Sequence, residues 1–218
     1  MLELIFFHLP KTGGSSILKT LNHVYGEEYV RHFERDECLD LNNRGIKISN
    51  IIGPEIKVIH GHFRYKEVKD LVKRDNPKLV SFFREPVSRV ISNYYWWKHS
   101  LSDKPEHPSY HLRNQELRSY IKGKVTQNKM SYFLKGASLK NFAFIGFLDQ
   151  FDEDLKKMGD IFNWPATPSF HEKKASTFKR ENDVSQTDEL LKAIIRLNKK
   201  DMKLYKMALD QSKAQRND

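Results

Sequence analysis

The sequence predicts an α/β fold, a three-layer sandwich with a central, mostly parallel sheet and helices on both faces. Three observations lead there. Short apolar runs alternate with stretches of helical period, the pattern of strands joined by crossover helices. The first run, Leu2–His8, is apolar without alternation and rich in aromatics, as a strand covered on both faces requires. The segments richest in polar chemistry follow the first three runs, and a parallel sheet gathers its ligands beyond the carboxyl ends of its strands.

The elements follow in order. After the first strand, Pro10, Gly13 and Gly14 break the run, and Ser15 or Ser16 can cap a helix to about Tyr25 with Ile17, Leu18 and Leu21 as its apolar stripe. Glu27–Gly53 reads as polar and irregular, with a turn at Asn42–Gly45. Ile56–His60 is a second strand, running into Gly61, His62 and Phe63, and Tyr65–Arg74 a short amphipathic helix. Lys78–Phe83 is a third strand, and Pro86 opens a helix to about His99. Ser100–Ser109 is a loop, followed by helical stretches near Leu112–Ile121 and Asn128–Leu134. Asn141–Phe147 is a fourth strand and Phe151–Phe162 a helix. Trp164–Asn182 is a basic loop, and Gln186–Leu209 one long C-terminal helix with a frayed tail from about residue 212. With 218 residues, no repeat and no low-complexity tract, residues 1–218 make a single domain with room for a proper core.

Composition narrows the function classes. The lone Cys38 excludes an intramolecular disulfide and a cysteine-built metal site. A net charge of +10 predicts a polyanionic partner without choosing among nucleotide, nucleic acid, acidic glycan and anionic lipid. No apolar run approaches a membrane span, and the first strand begins too close to Met1 for a signal peptide or anchor, so the expectation is a soluble, cytoplasmic protein or a catalytic domain trimmed from a longer one. Lys98–Lys129 carries seven Lys/Arg against three acids, which reads as a solvated basic surface or an acceptor-binding face. Of the aromatic run Tyr94–Trp97, some members must pack in the core and outward ones could stack on a sugar ring.

Two loops carry the chemistry. In Lys11-Thr12-Gly13-Gly14-Ser15-Ser16 the glycines let backbone N–H groups approach an anion at a helix start, Lys11 adds a full charge, and three hydroxyls add donors. The architecture is P-loop-like, but Lys11 precedes both glycines, whereas GxxxxGK[ST] places it after the last one. That departure argues against an ATP or GTP hydrolase. Alone, the loop is compatible with an ordinary glycine turn. After the third strand, Arg84 can grip a phosphate in bidentate fashion, and Ser92, on the helix face of Ser88, can add a hydroxyl.

Taken together, PKTGGSS after strand one and REPVSRVISNYY after a later strand resemble the sulfotransferase superfamily, and more closely its branch of uronyl and heparan sulfate 2-O-sulfotransferases. The resemblance spans about Leu4 to Lys179. Weaker matches are Ile145–Phe151 and the basic loop His171–Thr177. It implies that Lys11, Thr12, Gly13, Gly14, Ser15 and Ser16 hold the 5′-phosphosulfate of 3′-phosphoadenosine 5′-phosphosulfate (PAPS). Arg84 and Ser92 would hold its 3′-phosphate, and Lys173, Lys174, Ser176 and Thr177 would close over the nucleotide. The product would be 3′,5′-adenosine diphosphate.

Transfer of a sulfuryl group to a hydroxyl needs a base, and histidine suits neutral pH. His60 and His62 lie two apart at the end of strand two, so both point to one face at the edge that carries the anion loops. The resemblance implies that the second member of such a His-Gly-His is the base. The expected catalytic set is therefore His62 as base, His60 assisting or orienting it, and Lys11 stabilising the leaving group. No third ligand accompanies the histidines, so no metal is expected. The acceptor is expected to be a hydroxyl-bearing glycan or glycoconjugate, with no nucleic acid partner. Two other readings stay open at this level: a nucleotide kinase or NTPase of related fold, and a non-catalytic module that binds polyanions.

Overall fold

The computed structural model describes residues 1–100, 105, 110, 114–170 and 187–217. Five strands form one sheet: β1 (Leu4–Phe7), β2 (Val30–Phe33), β3 (Val58–Gly61), β4 (Lys78–Phe83) and β5 (Phe142–Phe147). Their order is β2-β3-β1-β4-β5, and every neighbouring pair is parallel. The helices are α1 (Gly14–Tyr25), α2 (Arg35–Asn43), α3 (Tyr65–Asp75), α4 (Pro86–Ser100), α5 (Leu117–Tyr120), α6 (Lys129–Phe133), α7 (Phe151–Ile161), α8 (Asp188–Leu197) and α9 (Lys199–Asn217).

The unbroken apolar run of β1 has its explanation here, because all four of its residues are buried. Leu4, Phe6, Val80 and Phe144 pack under Ile17 and Leu21 of α1 and under α7. On the opposite face Ile5, Phe7 and Ile59 pack with residues of α2, α3, α6 and α9. Each large apolar side chain removed from water in this way contributes about 1.5–3 kcal/mol. A third cluster, with Val90 and Tyr94 of α4 against Tyr120 and Ile194, extends the molecule beside the sheet.

The strand register aligns His32 of β2 with His60 of β3, and His60 with Phe6 of β1. The rings of Phe6 and His60 stack at 5.0 Å. The loops after β1, β3 and β4 therefore emerge side by side at one edge, as expected.

Four differences from the sequence reading have physical reasons. Glu27–Gly53 is not irregular throughout: it contains β2 and α2. β2 has only four residues, VRHF, of which Phe33 alone is buried, and α2 buries only Cys38 and Leu41. Neither pattern is strong enough to announce an element. The second strand begins at Val58 rather than Ile56. The C-terminal helix is two helices, broken at Asn198. There the Asn198 side chain donates to the Ile194 carbonyl (2.9 Å), and its Oδ1 accepts from the Asn128 backbone N–H (2.8 Å). Asn128 Oδ1 in turn accepts from the N–H groups of Lys200 and Asp201 at the start of α9. Finally, the tail does not fray at 212. α9 runs to Asn217, and Ser212 is buried with its hydroxyl donating to the Ile145 carbonyl (3.2 Å). Among the described residues no helix is long and apolar enough to cross a membrane.

Candidate active site

The first loop folds tightly between β1 and α1. Lys11 and Gly13 take left-handed backbone conformations (φ 68° and 87°). Thr12 is fully buried, and its hydroxyl donates to the Leu9 carbonyl (2.8 Å), so it holds the turn shut. Gly14 is required by close packing: a Cβ there would lie 2.0 Å from Cδ2 of His8. Ser15 is exposed and Ser16 buried. No acidic residue lies in the first turn of α1, so the positive end of that helix keeps its charge for an anion. The Lys11 ammonium sits 5.7 Å from the Trp96 ring of α4, a cation–π contact that joins the loop after β1 to the helix after β4.

The loop after β4 is built differently. Glu85 caps α4, its carboxylate accepting from the N–H groups of Val87 (2.9 Å) and Ser88 (2.7 Å). An anion here must therefore rely on side chains. Arg84 donates from Nε to the Ser88 hydroxyl (2.9 Å) and from Nη1 to the Lys11 carbonyl (3.4 Å). Arg84, Ser88, Ile91, Ser92 and Tyr95 line a cleft of about 280 Å³. Tyr94 and Tyr95 are buried, so half of the aromatic run is core.

At the carboxyl ends of β1, β2 and β3 four histidines meet. The His8 ring stacks on that of His62 (4.0 Å) and tilts against that of His60 (4.9 Å), and His32 lies 4.9 Å from His60. Gly61 between His60 and His62 is needed for close approach, since a Cβ there would lie 2.3 Å from the Phe33 carbonyl oxygen of β2. His60 is fully buried. Its Nε2 lies 3.1 Å from the Gly14 carbonyl and its Nδ1 2.9 Å from Nδ1 of His32. His62 Nδ1 lies 2.7 Å from the His8 carbonyl. A carbonyl only accepts, so Nδ1 of His62 carries the hydrogen and a neutral ring keeps its lone pair at Nε2. Burial holds His62 below the ordinary imidazole value, and Glu34 opposes that in part. Burial, with the neighbouring imidazoles behind it, lowers His60 and His8 further. Among the described residues no group of His, Cys, Asp or Glu forms a metal-ligand set.

Beneath His62 lies a second charged cluster. Arg35 donates to the His62 carbonyl (3.2 Å) and pairs with the Glu67 carboxylate through both Nη1 (2.8 Å) and Nη2 (3.2 Å). Arg64 also binds Glu67, from its backbone N–H and its guanidinium.

A family model described as "Sulfotransferase family" matches residues 2–208. The chain belongs to the sulfotransferase family. Among solved structures, this sulfotransferase is similar to the mouse sulfotransferase SULT7A1, whose crystal structure is complexed with PAP. The two are 13% identical, with a TM-score of 0.58, and the match covers 100% of this chain and 89% of that one. At that identity the likeness is one of fold. Comparison with curated proteins finds no match.

In this sulfotransferase, Lys11–Ser16, His60, His62, Arg84 and Ser92 all lie toward one edge of the sheet: Lys11–Ser16 in the turn after β1 and the first turn of α1, His60 near the end of β3 with His62 just beyond it, Arg84 just after β4 and Ser92 on α4. Lys173, Lys174, Ser176 and Thr177 lie outside the described residues. Sequence reasoning missed His32, on β2, and Glu34, which follows β2 and precedes α2. An alternating His32-Phe33-Glu34 at the end of a short strand was the available signal, but it was hidden in a segment read as irregular.

Proposed function

We propose that this family member transfers the sulfuryl group of PAPS to a hydroxyl on a carbohydrate acceptor, by a single in-line displacement with His62 as base. The observation that carries the reading is the hydrogen bond from His62 Nδ1 to the His8 carbonyl, which leaves Nε2 able to take a proton. The neutral ring favoured by burial supports the same role.

The residues present fit a nucleotide with two separated anionic groups. Lys11, Gly13, Gly14, Ser15 and Ser16, at an N-terminus free of acids, would hold the 5′-phosphosulfate, and Thr12 would keep that loop closed. Arg84 and Ser92, with Ser88, would hold the 3′-phosphate in the neighbouring cleft. When bound, the nucleotide supplies the activated sulfuryl group. His62 takes the acceptor proton at Nε2, His60 orients the edge, and the Lys11 ammonium balances charge on the leaving oxygen. The carbohydrate acceptor is supported by the resemblance of the two loops to the 2-O-sulfotransferase branch. Lys173, Lys174, Ser176 and Thr177 complete the proposed nucleotide contacts.

A thermal-shift comparison tests the nucleotide. Stabilisation by 3′,5′-adenosine diphosphate and not by ATP–Mg²⁺ is expected, and the reverse result sinks the proposal. The His62→Ala protein should bind that nucleotide as well as wild type. Its sulfate transfer should fall by about 100-fold or more, the usual contribution of a general base. Transfer of labelled sulfate onto a panel of glycans and other hydroxyl compounds identifies the acceptor.

A further inference from the structure

We propose that Glu34 and His32, at the carboxyl end of β2, are positioning residues that lock His60 in its Nε2–H tautomer and so fix the first peptide of α1 beneath the anion loop.

The argument is a count of donors and acceptors. The Gly14 carbonyl only accepts, so His60 Nε2, 3.1 Å away, carries a hydrogen. His60 is wholly buried and lowered first by that burial and then by the neighbouring imidazoles, so its ring is neutral and Nδ1 holds a lone pair. That lone pair faces Nδ1 of His32 at 2.9 Å. His32 Nδ1 also lies 3.1 Å from the His60 carbonyl, so it must be the donor, shared between the two. His32 Nε2 lies 3.0 Å from the Glu34 carboxylate, which likewise only accepts when ionised. Burial would raise the Glu34 carboxyl, but the hydrogen bond from His32 leads in holding it below its usual range. Both nitrogens of His32 thus face acceptors, and only the imidazolium has two hydrogens to give. The chain Glu34⁻, His32⁺, neutral His60, Gly14 carbonyl satisfies every contact. A neutral His32 would set a lone pair against an acceptor at one end.

The consequence reaches the anion loop through peptide geometry. In a trans peptide the carbonyl and the following N–H point in opposite directions. Holding the Gly14 carbonyl toward His60 therefore aims the Ser15 N–H away from it, in the first turn of α1, where an anion binds. The tautomer assignment is independent of the proposed reaction, whereas the nucleotide-affinity readout rests on it.

The test is a long-range ¹H–¹⁵N correlation spectrum of the histidine rings in the wild-type chain at neutral pH, assigned with single His→Gln substitutions. We expect His32 with both nitrogens protonated and His60 protonated at Nε2 only. A singly protonated His32, or His60 protonated at Nδ1, overturns the proposal. The Glu34 side chain is 70% exposed, so Glu34→Gln does not threaten the fold. In that variant the His60 signals should move toward a tautomer mixture. The dissociation constant for 3′,5′-adenosine diphosphate should rise about tenfold, the scale of one weakened hydrogen bond to a charged group. An unchanged His60 spectrum and an unchanged affinity in Glu34→Gln overturn the positioning role. A wild-type protein with the expected tautomers and no nucleotide affinity would count against the proposed function while leaving the histidine chain intact.

Discussion

At the residue scale, Gly14 shows how a motif position can be dictated by packing as well as by a ligand. Its missing side chain is the space occupied by the His8 ring, whose Nε2 would lie 2.2 Å from an added Cβ. Gly14→Ala should therefore displace His8 and, through the 4.0 Å ring stack, His62. Overpacking of this kind costs about 1–3 kcal/mol. Urea denaturation should show that loss, and the His8→Ala/Gly14→Ala double variant should recover part of it, a non-additivity expected of residues in contact. Local pattern alone was enough to single out Gly14, His60 and His62. It could not tell that His60 faces the Gly14 carbonyl while His62 faces that of His8, because those contacts join residues 46 and 54 positions apart.

At the scale of elements, Glu67 ties α2 to α3. Its carboxylate is 2% exposed and receives both Arg35 and Arg64. Burial alone would raise its pKa, but the hydrogen bonds from Arg35 and Arg64 take it from 4.5 down to about 2. A carboxyl depressed in the folded state contributes stability that is fully present above its unfolded value and is lost as pH falls through the folded one. The window is therefore about pH 4.5 down to 2, and the linked contribution is about 3 kcal/mol. Unfolding free energies measured across that window should fall more steeply for wild type than for Glu67→Gln. α2 itself was not legible in advance, since two buried side chains in nine residues make no stripe. The break between α8 and α9 was equally hidden. Leu190 to Tyr205 supplies apolar positions on both sides of Asn198, and only the exchange with Asn128, 70 residues earlier, makes the break favourable.

At the scale of the whole molecule, the sheet order decides which loops are neighbours. β1 lies between β3 and β4, so the loop carrying Lys11 stands between the His60–His62 edge and the Arg84 cleft. A second cavity, of about 620 Å³, opens at the amino ends of the strands among Met1, Glu3, Tyr29, Lys57 and Lys78. Hydrogen exchange with and without 3′,5′-adenosine diphosphate should separate the two ends. Protection is expected at residues 8–16 and 84–92 and not around Lys57 and Lys78. Protection confined to the amino edge would move the nucleotide site to the wrong end of the sheet.

By itself the sequence determined the α/β class, four of the five strands, the position of the glycine loop and of Arg84 after their strands, and the histidine pair. Each of these is written in local patterns: an apolar run, a glycine turn, an arginine at a strand end. The tertiary structure decided the rest. It added β2 at the edge of the sheet, brought His32 beside His60 with Glu34 behind it, set His8 against Gly14 and broke the last helix at Asn198. The physical reason is the same in each case. Register, side-chain packing and hydrogen-bond exchange act between residues distant in the chain, and a tautomer is fixed by the carbonyl that folding brings to one nitrogen.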